Sequence, residues 1–398
     1  MRIALVSGEY PPLEGGVGAF TQELARALAE LDQEVHVIST RAASPANIER
    51  RHFGRDPDPI DIGFAQLHPQ IDRWRWPSVA TIADLTLRYE FDAVNIQYQA
   101  AAYNMNSGAI NLLPWRLKHI TRTVVTFHDL RTPYLFPKAG RLRSAVITTM
   151  ARQAAGVIAT NMVDAEDLKR RAPKTLSTTI PIGSNIGTYR ANHIELAEAR
   201  ELLGLRDDDV LLGYFGFIND SKGADSLLQA LAQLPENYHL VFIGGQTGAS
   251  DDTNAAYLAQ IEALILELGL QSRVHWTGFI ADERVSVFLQ AAEMMVMPYK
   301  DGVSLRRGTL MAVLAHGRPL ITTLPVVPIP ELVAGRNVLF VPPADTSALA
   351  KTITELARNE ALQERLGKNA ALLAGQFSWE AIARRTLDFF HHITDPRR

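Results

Sequence analysis

The chain has 398 residues, a formal net charge of −3, 47% hydrophobic and 21% charged residues, and no cysteine. That length suits two domains of roughly 190 residues rather than one core, and the composition excludes a disordered or fibrous chain. The slight acidity argues against a dedicated nucleic-acid binder, and the lack of cysteine rules out disulfides, thiolate nucleophiles and cysteine-ligated zinc.

The opening MRIALVSGEYPP has one basic residue and too short an apolar run for a signal peptide or spanning helix, and no later run reaches spanning length. A cytoplasmic protein is expected. Short apolar runs at 3–7, 35–39, 93–97, 123–127, 156–159 and 178–182 read as strands. Helical spacing lies between them, clearest at Phe20, Leu24, Leu28 and Leu31. The pattern weakens between Pro181 and Asn192. It resumes with strands at 210–216, 239–244, 273–277, 294–297, 318–322 and 337–341, and with Leu227, Leu228, Leu231 and Leu234 on one helical face. Strand–helix alternation implies parallel sheets covered on both sides. The expectation is α/β: two successive parallel α/β units, 1–188 and 189–379, joined by a linker near 185–200 with a cleft between them.

In parallel sheets, function gathers in the loops leaving the carboxyl ends of strands. After the first strand, Glu14-Gly15-Gly16-Val17-Gly18 leads into the amphipathic helix. Such glycines let a ligand approach the backbone, and the N–H groups of a helix start favour an anion; a turn used only for packing has the same composition. The loop is not a dinucleotide fingerprint, because about ten residues, including Pro11 and Pro12, separate the glycines from the strand. The second loop, Gly216 to Gly223, offers Lys222 as a mobile cation for a phosphate. The third, Tyr299 to Gly308, holds Asp301, Ser304, Arg306 and Arg307. Paired arginines fork onto phosphate oxygens and Ser304 suits a helix N-cap, unless one arginine pairs with Asp301.

In order and spacing these loops resemble the retaining nucleotide-sugar glycosyltransferases of family 4, whose GT-B architecture implies two Rossmann-like domains facing across a cleft. Gly15-Gly16-Val17-Gly18 resembles the family's glycine loop and Gly216 to Gly223 its G-R-x-x-x-x-K-G loop. Leu314-Ala315-His316-Gly317-Arg318-Pro319 is similar to A-M-A-x-G-x-P, Ile329-Pro330-Glu331-Leu332 to G-x-x-E, and Val341-Pro342-Pro343-Ala344-Asp345 to V-P-P-x-D. Phe377-Ser378-Trp379-Glu380 opens a last helix as F-S-W does in the family, implying that 380–398 packs back on the first domain. The six ordered matches span nearly the whole chain.

Two departures stand out. Phe217 replaces the family arginine of the lysine loop, and counting back from Gly317 puts Ser304 and Ala312 at the positions of the family's Glu-x7-Glu pair. Counted forward, Asp301-Gly302-Val303-Ser304-Leu305 resembles E-G-F-G-L and gives Asp301 the first acidic role. The resemblance then implies a rearranged site, with Lys222 and Arg306 or Arg307 on the diphosphate and Gly15, Gly16 and Gly18 cradling diphosphate and sugar. Gly216 and Ser304 belong to the same donor-binding set. His128 is expected to bond a donor hydroxyl or steady charge as the glycosidic bond breaks, the alternative being a loop buttress with Asp129 as partner. Glu331 is expected to hold a ribose or sugar hydroxyl, or to be an acid placed at a helix start by the dipole. The amides and tyrosine of Gln97-Tyr98-Gln99 suit sugar hydroxyls or buried backbone.

The implied reaction moves a sugar from a UDP- or GDP-sugar to a hydroxyl of a glycan, lipid-linked or small-molecule acceptor. It proceeds with retention, without metal or cofactor, in glycan or glycolipid synthesis. A GT-B sugar-nucleotide epimerase and an inactive sugar-binding protein are the alternatives; the absent fingerprint speaks against a NAD-dependent oxidoreductase. Between Leu113 and Ala155 lie Arg116, Lys118, Arg122, Arg131, Lys138, Arg141, Arg143 and Arg152 against Asp129 alone. This reads first as a solvated face, and second as peripheral contact with the inner face of a membrane. Trp74-Arg75-Trp76-Pro77 suits acceptor contact or core packing.

Overall fold

The computed structural model of the chain describes residues 1–13, 15–44, 58–105, 107–135, 140, 142–245 and 252–395. They form two compact units, Met1–Gly183 with Ser378–Arg398, and Ser184–Phe377. Glu14, Lys138 and Arg141 lie outside the described residues.

The first unit runs β1 (Arg2–Ser7), α1 (Gly16–Ala29), β2 (Glu34–Thr40), β3 (Ile60–Asp61), β4 (Gln66–Ile71), α2 (Trp76–Tyr89), β5 (Ala93–Tyr98), α3 (Leu113–Leu117), β6 (Arg122–Phe127), α4 (Leu142–Gln153), β7 (Gly156–Ala159), α5 (Met162–Arg171) and β8 (Leu176–Thr179). The sheet order is β3-β4-β2-β1-β5-β6-β7-β8, parallel except for β3 against β4. Central strands such as β5, buried along its whole length, are apolar without alternation because helices cover both faces. One face packs Ile82, Leu113 and Met150; the other packs Phe20, Leu24 and Leu28 of α1.

The second unit runs α6 (His193–Leu202), β9 (Val210–Phe215), α7 (Ala224–Leu231), β10 (Tyr238–Ile243), α8 (Asp252–Glu267), β11 (Val274–Trp276), α9 (Asp282–Ala291), β12 (Met294–Met297), α10 (Gly308–Ala315), β13 (Leu320–Thr323), β14 (Leu339–Val341), α11 (Thr346–Ala357) and α12 (Glu360–Ala374). Its sheet, β11-β10-β9-β12-β13-β14, is wholly parallel. The last helix, α13 (Trp379–Thr394), belongs to the first unit. Trp379 meets Phe20 of α1 edge-on with ring centroids 5.1 Å apart. Phe389 comes so near Gly156 that a Cβ there would lie 2.7 Å from its ring.

Two expectations need correction, and one strand, β4, was not expected. Much of the expected linker is α6, whose start is closed by a capping box between Asn192 and Glu195. The strand expected at 178–182 is β8, two residues earlier; its sequence LSTT is polar because it is an edge strand. Strand β4, QLHPQI, reads as polar, yet its His68 is buried against His36.

Each unit carries a carboxylate and two stacked histidines on adjacent strands. Glu34 Oε1 lies 3.0 Å from His36 Nε2, and His36 Nδ1 lies 2.9 Å from His68 Nε2. In the second unit Asp209 Oδ2 is 3.6 Å from His239 Nε2, and His239 Nδ1 is 3.1 Å from His275 Nε2. Burial, and then the neighbouring His36, push His68 down to about 3. An imidazole depressed in this way stabilises the fold above its unfolded pKa near 6.5; as pH falls below that value the unfolded chain takes the proton first. We predict that the stability difference between wild type and His68→Asn, from urea titrations, shrinks by about 2 kcal/mol between pH 7.5 and pH 5. A difference independent of pH would contradict a neutral His68.

Candidate active site

In both units the chain reverses its direction of winding at one place in the sheet, between β1 and β5 and between β9 and β12. Ligands of open parallel sheets bind beyond the carboxyl ends of strands at such points. The loops leaving these strands carry most of the expected residues.

In the second unit, Gly216 follows β9 with φ 110°, and a Cβ there would lie 2.7 Å from Thr309 Cγ2 and 3.2 Å from Lys222 Nζ. Gly223, with φ 70°, caps α7, and its Cβ would lie 2.0 Å from the carbonyl oxygen of Pro298. The loops after β9 and β12 therefore touch backbone to backbone. Lys300 fastens them: its N–H donates to Ser221 O at 2.9 Å, and its ammonium meets Asp220 at 2.6 Å and Asp225 at 2.8 Å.

Lys222 donates to the carbonyl of Phe217 at 2.8 Å, and among the described residues no carboxylate pairs with it. Burial, and then the nearby Arg307 charge, push its pKa down to about 8. Arg307 pairs with Asp301 and lies over the Tyr299 ring, 4.0 Å from the centroid, while its Nε is buried without a partner. Two cations thus stand near each other, and the one carboxylate, Asp301, is paired with Arg307. The Phe217 side chain, 45% exposed, leans toward Gly245, so only its carbonyl serves Lys222.

Of the two arginines, Arg307 stands beside Lys222, whereas Arg306 is exposed. Ser304 does not cap α10: Arg307 holds that position, and Ser304 Oγ accepts the Arg306 N–H at 3.4 Å. Asp301 serves as the counter-ion of Arg307. Glu331 lies in a turn between β13 and β14 rather than at a helix start. Its carbonyl accepts from Asn337, and its Oε2 is buried without a partner. Among the described residues no hydrogen bond or ion pair joins it to Lys222, Arg307 or Asp301.

In the first unit, Gly15 is the N-cap of α1, and Gly16 and Gly18 lie in its first turn. The anion at this helix start is the protein's own: Glu9 Oε1 accepts from Val17 N at 3.0 Å and Gly18 N at 3.3 Å. The expected cradle for a diphosphate is therefore occupied. His128 follows β6, with its Nε2 3.0 Å from Gln97 Oε1 and its ring edge-on to Phe20. Burial pushes it down to about 4, so the ring is neutral near pH 7 and does not steady charge as an imidazolium. Asp129 is not its partner but bonds Gln99 Nε2 and Arg131 N. Tyr98 is buried with its hydroxyl on Asn111.

Trp74 is buried and donates to Gly8 O at 3.1 Å, while Trp76 is 63% exposed. The basic residues of 113–155 are dispersed: Arg152 bonds Arg171 O and Arg143 lies over Tyr134. Glu9 escaped the sequence reading, and Tyr299 was read only as the start of its loop. Glu9 had a signal, as an acid two residues beyond a strand whose carboxyl end was marked for function.

Residues 15–183 match the model of the glycosyl transferase 4-like domain and residues 197–372 that of glycosyl transferases group 1. The chain is 25% identical to a D-inositol 3-phosphate glycosyltransferase of Xylanimonas cellulosilytica, covering 100% of this chain and 98% of that one. With its counterpart from Streptomyces avermitilis it is 28% identical over 98% and 87%. Among solved structures, sucrose-phosphate synthase from Thermosynechococcus elongatus superposes with a TM-score of 0.73 at 24% identity, covering 98% of each chain. Anabaena HepE in complex with UDP and glucose gives 0.74 at 18%, covering 98% and 100%. Two family models that together span most of the chain, full-length relatives and the fold agree with the loop motifs: the chain belongs to the family 4 glycosyltransferases of GT-B fold.

Proposed function

We propose that the chain transfers a sugar from a UDP- or GDP-sugar to an acceptor hydroxyl with retention, without a metal or a further cofactor, in glycan or glycolipid synthesis. One observation carries this reading: Lys222, an ammonium with no carboxylate partner among the described residues, beside Arg307 at the carboxyl ends of β9 and β12. A departing diphosphate needs its charge met, and two neighbouring cations meet it as a divalent ion would. The relatives named for sugar transfer to a phosphorylated inositol, and the neighbour holding UDP and glucose, support the same donor class.

In the reaction the acceptor oxygen attacks the anomeric carbon on the face that the diphosphate leaves. The carbon–oxygen bond to phosphate breaks with its electron pair on the phosphate, and the acceptor proton passes to that phosphate. Asp301 fixes the fork of Arg307 rather than touching sugar, Glu331 offers its unpartnered Oε2 to a hydroxyl, and His128 accepts a hydrogen bond as a neutral ring. Peripheral membrane contact would use exposed Trp115 beside Arg116 and Lys118; among the described residues no helix is long and apolar enough to cross a membrane.

Lys222→Ala and Arg307→Ala are each expected to weaken UDP or GDP binding by calorimetry roughly ten- to hundredfold, the range of a lost charge-assisted hydrogen bond. Arg306→Ala should stay close to wild type. Unchanged affinity in both of the first two variants would overturn the assignment. Below about 8 Lys222 is charged. Affinity for UDP should therefore hold near pH 7 and decline above about 8, a slope that Lys222→Met removes. Release of UDP from UDP-glucose only when an acceptor is added would separate transfer from epimerisation.

A further inference from the structure

A cavity of about 620 Å³ opens at the amino ends of β1, β5 and β6, which lie side by side in the first sheet. Asp92 and Arg122, at the starts of β5 and β6, line it together with Lys118 and His119 of the turn after α3 and His391 of the last turn of α13. All five belong to the first unit. Strand β6 is six residues long, so its amino end lies roughly 17 Å from the carboxyl end that His128 follows. None of the chemistry above uses this cavity.

Hydrogen bonding around its wall is one-sided. The acceptors are already engaged within the fold: Asp92 Oδ2 accepts from Arg2 N at 2.7 Å, the carbonyls of Phe91 and Asp92 accept from Thr121 Oγ1 at 2.7 and 3.1 Å, and those of Phe390 and His391 accept from Thr394 Oγ1 at 2.8 and 3.3 Å. The donors are not. Among the described residues the Lys118 ammonium, the Arg122 guanidinium and the His119 and His391 rings form no hydrogen bond or ion pair. All four side chains are exposed, and Asp92 is the one carboxylate on the described lining. Donors without free acceptors select a ligand made of acceptors, and the lysine and arginine make that ligand an anion.

We propose that this cavity is a binding site for a small phosphate ester, with the phosphate on Lys118 and Arg122, an imidazole N–H of His119 or His391 on a further oxygen, and the organic part against Phe91 and Ile120. A guanidinium fork and an ammonium both suit phosphate oxygens, and a neutral imidazole still donates one N–H. The volume lies in the range that small organic ligands fill, beyond what a bare ion requires. The reaction loops leave the carboxyl ends of the strands, so a ligand at the amino ends is not the sugar donor. The site does not rest on the function proposed above.

The ring resonances of His119 and His391, assigned in NMR spectra of the full chain through His119→Gln and His391→Gln, report on this cavity. Glucose 6-phosphate should shift both with a dissociation constant of about 1 mM or tighter, and glucose should shift neither. Lys118→Ala combined with Arg122→Ala should weaken the response at least about tenfold, the range of lost charge-assisted hydrogen bonds, whereas Lys222→Ala should leave it in place. Should the alanine pair lose its folded spectrum, Lys118→Gln with Arg122→Gln should show the same loss. No shift at about 10 mM, an equal shift with glucose, or a response that survives removal of both cations overturns the proposal. Vesicles of phosphatidylcholine carrying phosphatidic acid form a second arm: if they move the two resonances and the soluble ester does not, the ligand is a lipid headgroup and the assignment to a free ester falls. UDP calorimetry on the Lys222 and Arg307 variants reports separately on the function proposed above.

Discussion

The architecture of the second unit turns on an ammonium that has no carboxylate partner among the described residues and lies next to a guanidinium. Like charges at close range repel, and burial raises the cost, so such a pair persists only where the backbone leaves it no retreat. Here the constraint is the contact of Gly223 with the Pro298 carbonyl and the clamp of Lys300 on Asp220 and Asp225. These fix the two loops against each other, and Lys222 and Arg307 come with them. Burial, and then the charge of Arg307, hold the pKa of Lys222 low.

The two units solve the same topological problem with opposite charge. Each places a glycine-bearing loop and a helix start at the point where its sheet reverses. In the second unit the loop delivers cations; in the first it delivers a carboxylate that takes up the helix amides itself. One fold plan thus places an ammonium at one switch point and a carboxylate at the other. The difference rests on a few side chains rather than on the arrangement of strands.

The substitution of Phe217 for the family arginine becomes intelligible in the same terms. The residue at that position accepts a hydrogen bond from Lys222 through its carbonyl, and a guanidinium, Arg307, comes near Lys222 from the loop after the adjacent strand β12. Asp301, carried by the same turn, orients that guanidinium, and Tyr299 supports it from beneath.

Much of the fold was legible in the sequence because burial on both sheet faces writes itself as uninterrupted apolar strands, and helix faces repeat every three to four residues. Strand β4 and helix α6 were not, since the polar residues of β4 include a histidine satisfied only by a partner on another strand, and α6 is set by a capping box rather than by a strong apolar stripe. The sequence by itself determined the order of the loops, the glycines and the cations available to them. Only the tertiary structure decided that Arg307 rather than Arg306 joins Lys222, and that Glu9 fills the first helix start. Those pairings depend on β12 lying beside β9 and on a chain reversal between Glu9 and Gly15, distances through space that local periodicity does not encode.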